Sequence, residues 1–99
     1  MNLLDAIFLI GQMPEGSCIC AKRPFHQTSE AAIVPLTEDF RVPQGTLDQG
    51  LEYFLEKDGV EELLQMAESR LHSREAKVEL VAYYAEYDAT PAWFNDLCR

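Results

Sequence analysis

Ser17-Cys18-Ile19-Cys20-Ala21-Lys22 and Glu30-Ala31-Ala32-Ile33-Val34-Pro35-Leu36 are the stretches that decide the fold. The first alternates small polar and apolar side chains, the period of a strand. The second reads as its partner, joined to it by the loop Arg23 to Ser29 as a wide hairpin. Pro35 has no N–H for a ladder, so this strand lies at an edge or ends early. Phe40-Arg41-Val42 is expected to add a short third strand before the Pro43-Gln44-Gly45 turn.

Outward from this hairpin the signals are helical. Before it, Asn2 suits an N-cap with Asp5 in the first turn, and Leu3, Leu4, Ile7 and Phe8 form one apolar face. Pro14 and Gly16 then force a turn. After the hairpin, Leu47, Leu51, Phe54 and Leu55 are spaced i, i+4, i+7 and i+8, which predicts a helix closed by Asp58-Gly59. Val60, Leu63, Leu64, Ala67 and Leu71 mark another, with Glu61 and Glu62 in its first turn and Arg70 and His72 at its end. Ser73 caps a third from Arg74 to about Tyr87, whose broad apolar girth implies burial on more than one side. Thr90-Pro91 starts a last short helix to Leu97, carrying Trp93, Phe94 and Leu97 inward. The expected fold is α+β over 1–99 as a single domain. It has a small antiparallel sheet of two or three strands, with three to five helices packed mainly on one face.

Composition narrows the function. The chain has 99 residues, 47% of them apolar and 25% charged, the profile of a globular domain. Seventeen acidic against eight basic residues give a net charge of -9. That excludes a phosphate-tracking nucleic-acid binder and opposes docking on an anionic membrane. No apolar run approaches the roughly 20 residues of a membrane span. The first apolar stretch lacks a preceding Lys or Arg, is interrupted by Asp5 and is followed by no small-x-small cleavage site, so it is a poor secretory signal. Three cysteines, Cys18, Cys20 and Cys98, are an odd number. Free thiols in a reducing cytoplasm are the expectation.

Cys18, Cys20 and His26, with His72 or Cys98, are the residues of metal-ligand type. Zinc wants Cys-x2-Cys or His-x3-His spacings, and none is present; Cys-x-Cys on a strand reads as two small side chains filling one face. A nucleophilic cysteine needs an activating base at a geometry no spacing here supplies. There is no Gly-x-Ser-x-Gly, phosphate-cradling glycine loop or His-Glu-x-x-His, so the reading is of a non-enzyme with no cofactor and no metal.

Tyr83-Tyr84-x-x-Tyr87-Asp88 is the cluster that points to binding. Tyr84 and Tyr87 lie about a turn apart and read as core with hydroxyls at the rim. Tyr83 points elsewhere and joins Glu79 and Glu86 at helical spacing, as an interface tyrosine does. Charge is concentrated in the same half: residues 51–99 hold eleven acidic and five basic groups. The candidate partner-binding set is Tyr83, Tyr87, Glu79, Glu86 and Asp88, facing a basic partner protein. An alternative is a small-molecule or regulatory pocket lined by Phe25, Tyr84, Trp93 and Phe94. A homodimer through a sheet edge or the last helix is a third.

Ala82-Tyr83-Tyr84-Ala85-Glu86-Tyr87-Asp88-Ala89, behind two helices and a short N-terminal hairpin, resembles small acidic bacterial proteins of immunity type. Some of these look like immunity proteins of toxin–antitoxin or contact-dependent toxin systems, and others travel on mobile gene cassettes. The resemblance covers about 40 C-terminal residues plus size and acidity. It implies an α+β domain that blocks a toxin, often a basic nuclease, by covering it with an acidic face.

Overall fold

The Asn2 side chain accepts a hydrogen bond from the Asp5 amide at 2.8 Å and caps α1 (Leu3–Leu9), with Asp5 at the positive end of the helix dipole. The computed structural model, which describes residues 1–97, continues α1 into a 3₁₀ turn, Ile10–Gln12. Gly16, at φ 87, then turns the chain into the sheet. Strands β1 (Ser17–Ala21), β2 (Ala31–Pro35) and β3 (Glu52–Glu56) form one antiparallel sheet in the order β2-β1-β3. Strand β1 is central and buried throughout, and Pro35 ends an edge strand as its missing N–H requires.

The two faces of β1 are covered differently. Ile19 and Ala21, with Ala31 and Phe54, pack against α1, α3 (Lys57–Ala67) and α4 (Arg74–Tyr87) in the main core. On the other face Cys18 and Cys20 lie under Leu51, with Val34, Leu36 and Val42 around them. The segment 36–51, containing the single-turn α2 (Gln44–Asp48), is therefore a thin second layer. Helix α5 (Ala92–Leu97) seats Phe94 against Ala67, Leu71 and Leu80, outside the sheet core, whereas Trp93 and Leu97, expected inward, are exposed because so short a helix turns one side to the core. Leu80 and Val81 thus bury on different sides of α4, matching its wide apolar girth. The Ser73 hydroxyl accepts from the Ala76 amide at 3.0 Å and starts α4 where expected. Thr90 donates its hydroxyl to Asn95 Oδ1 at 2.6 Å, beside the expected start of α5.

The middle of the chain departs from the sequence reading. The helix expected through Leu47, Leu51, Phe54 and Leu55 is instead α2, a turn and β3. Its apolar spacing has another origin. Ile19 faces Leu55 and Cys20 faces Tyr53, so Phe54 has no partner and forms a β-bulge. The bulge puts consecutive Phe54 and Leu55 into the same core, which breaks strand alternation and imitates a helical stripe. Gly50, at φ 82, makes the turn into β3, whereas Gly59 is the third residue of α3 and not a helix terminator. Because α3 starts at Lys57, Glu61 and Glu62 fall in its second turn, and Arg70 and His72 lie beyond its end.

Phe40-Arg41-Val42 is not a strand either. Thr37 N donates to Arg41 O (2.8 Å), Arg41 N to Thr37 Oγ1 (3.1 Å) and Phe40 N to Thr37 O (2.8 Å). These local bonds close a turn on itself and use the groups a ladder would need. The radius of gyration is 13.1 Å, matching the value of about 13 Å for a globule of 100 residues.

Candidate partner-binding groove

One wall of an open surface groove is the face of α4 that carries Glu75, Glu79, Tyr83, Glu86 and Tyr87. The opposite wall is the β1–β2 loop from Arg23 to Thr28, and Val78 and Ala82 lie between them. The open groove so formed has a volume of about 920 Å³.

The loop wall is held in place by its own bonds. The Ser29 hydroxyl accepts from the His26 amide and donates to the Pro24 carbonyl, both at 2.9 Å. Its carbonyls in turn meet the open amides at the start of α1, Leu3 N to Ser29 O (2.8 Å) and Leu4 N to Gln27 O (3.0 Å). Phe25 stands edge-on to Phe54, their centroids 4.9 Å apart, which ties the loop to the core. Arg23 closes one end. Its guanidinium carbon is 4.6 Å from the Phe25 centroid, Nε is 3.4 Å from Glu52, and Nη1 donates to Glu86.

On the helix wall Tyr83 and Tyr87 pack together, centroids 4.6 Å apart and planes tilted by 47°. The expected partnership of Tyr87 with Tyr84 is thereby corrected: residues four apart, not three, meet here. Tyr87 is 64% exposed and not core, whereas Tyr84 is half-buried against the sheet. Glu75 and Glu79 make no hydrogen bond or ion pair among the described residues, while Glu86 is taken by Arg23.

The structure therefore brings together four residues of the sequence-derived set: Glu79, Tyr83, Glu86 and Tyr87. The fifth, Asp88, lies past them as the left-handed cap of α4 at φ 55. The residues of the alternative pocket are not gathered. Phe25 lines the groove, Tyr84 packs toward the core, Phe94 is buried on the inner side of α5, and the Trp93 ring stands edge-on to it, centroids 6.2 Å apart. Sequence reading missed Glu75, although it stands one helical turn before Glu79. It also missed Arg23, which lies 63 residues from Glu86 and left no local signal.

Cys18 and Cys20 point the same way, their sulfurs 3.9 Å apart, and both are free and buried. The hydrogen bond with Cys20 pushes the Cys18 thiol above its ordinary range, followed by burial and then by the charges of Cys20 and Glu56. Burial, then Glu56, also raises the Tyr53 phenol. His26 and His72 are exposed, and no group of three His, Cys, Asp or Glu fit to hold a metal occurs among the described residues. Cys98 lies outside the described residues. No described helix is long and apolar enough to cross a membrane.

Compared with protein-family models, with curated proteins and with solved structures, the chain matches none.

Proposed function

We propose that the protein is a non-enzymatic, cytoplasmic binding module that captures a basic partner protein in the groove between the β1–β2 loop and α4. One observation carries this reading: an exposed tyrosine pair shares a helix face with two carboxylates that have no partner among the described residues, opposite a wall already fixed by hydrogen bonds. Tyrosine supplies contact area at little entropy cost, and unpaired carboxylates steer a cationic surface and reject anionic ones. A fixed wall lowers the ordering cost of association. The acidic balance of the whole chain works in the same direction. The partner is a basic protein such as a toxin nuclease, and binding over this face blocks it, as in bacterial immunity proteins.

The test is a pull-down at low salt from the native host's lysate, with the wild-type chain and a Glu75→Gln/Glu79→Gln/Tyr83→Ala chain as baits. The expected result is a basic protein released by a salt step from the wild type and absent from the variant. Equal recovery on both baits, or recovery insensitive to salt, overturns the reading.

A further inference from the structure

We infer that the groove selects arginine over lysine on its partner, an inference that rests on the basic-partner reading above. The chain itself shows how this surface holds a guanidinium. Arg23 lays its group on the Phe25 ring while its N–H groups meet Glu52 and Glu86. Arg74 repeats the ring contact alone, on Phe8, with its guanidinium carbon 4.5 Å from the ring centroid.

Further along the groove carboxylates and a ring again stand on one face. Glu79 lies one helical turn before Tyr83, and Glu75 one turn before Glu79, so both carboxylates and the ring share one face of α4. Neither carboxylate has a partner among the described residues, and the Tyr83 ring is 38% exposed. A guanidinium satisfies both demands at once, because its flat face covers a ring while its edge donates to carboxylates. An ammonium is a compact, strongly hydrated point charge that can lie over a ring but cannot stack flat on it while pairing edge-on with a carboxylate. Charge complementarity therefore commits the groove to an arginine-bearing protein segment, with the guanidinium on Tyr83 and its N–H groups toward Glu79, while Glu75, about 12 Å from Tyr83 along the helix, attracts the segment as a whole.

The experiment uses two fluorescent peptides, identical except for arginine in one and lysine in the other, titrated by anisotropy against the full chain. Arginine is expected to bind about threefold tighter at equal salt, part of the worth of an exposed cation–π contact. Tyr83→Leu is expected to bring the ratio of the two affinities close to one, and Glu79→Gln to weaken both peptides. Both side chains are exposed, and unchanged melting temperatures verify that the variants fold. Equal affinities with salt-sensitive binding overturn the arginine preference and leave the basic-partner reading standing. Binding of neither peptide overturns both. A preference that survives Tyr83→Leu removes the ring from the site.

Discussion

Asp88 closes α4 with φ 55, a conformation that costs a side-chain-bearing residue about 1 kcal/mol. Its carboxylate also sits at the negative end of the helix dipole, where an acid is unfavourable. Asp88→Gly removes both penalties and is expected to stabilise the fold by about 1 kcal/mol, read as a higher melting temperature. Cys18 sets a second expectation. Its folded-state pKa lies above that of an unfolded thiol, so the native state holds the proton more tightly. The associated stability is whole at neutral pH and below, and is lost as pH rises past the unfolded value of about 8.5. Because the bond to Cys18 lowers the Cys20 thiol in turn, the pair is tested together: between pH 7 and pH 10 the urea midpoint is expected to fall further for the wild type than for a Cys18→Ala/Cys20→Ala chain.

At the scale of elements, two glycines distinguish the observed middle of the chain from the helix its spacing suggests. Gly50 requires positive φ, so Gly50→Ala is expected to destabilise by about 1 kcal/mol even though its Cβ would meet nothing nearer than Lys22 Cε at 3.9 Å. Gly59 is helical, and a Cβ there makes ordinary contact with Leu55 Cδ2 at 3.8 Å. Gly59→Ala is therefore expected to stabilise by about 0.5–1 kcal/mol. Chemical denaturation of the two variants reads the opposite signs. A helix ending at Gly59 demands the reverse pattern at that residue. The contrast explains what was legible in the sequence. Helices α1 and α4 announce themselves through Asn2 and Ser73, whose caps act within three residues, and β1 and β2 through alternation and Pro35. Strand β3 stayed hidden because its bulge at Phe54 erases the alternation a strand is known by. The helix wall of the groove was legible as the spacing of Glu79, Tyr83 and Glu86. The loop wall was not, because tertiary folding alone brings Arg23 to Glu86.

Across the whole molecule both sheet edges are blunted. Lys22 N bonds Glu30 O and Leu36 N bonds Gly16 O, so Ala31, Ile33 and Pro35 turn their backbone groups outward from β2. Met1 O already takes the Ala31 amide at 2.8 Å, and Pro35 has none to offer. Strand β3 is short, bulged and acidic at both ends, so two-fold pairing about Phe54 sets Glu52 against Glu56 of the second copy. A monomer of 11.3 kDa is expected in light scattering at micromolar concentration, and a dimer would remove the edge argument. The unequal covering of β1 has a kinetic consequence. Its helix side is sealed by three packed helices, whereas Cys18 and Cys20 are shielded by the thin layer 36–51 alone. In a Cys98→Ser chain, the rate at which a thiol reagent labels these two cysteines becomes a clock for the lifting of that layer. Labelling is expected to run well ahead of amide exchange in β1, which waits for the whole sheet to come apart.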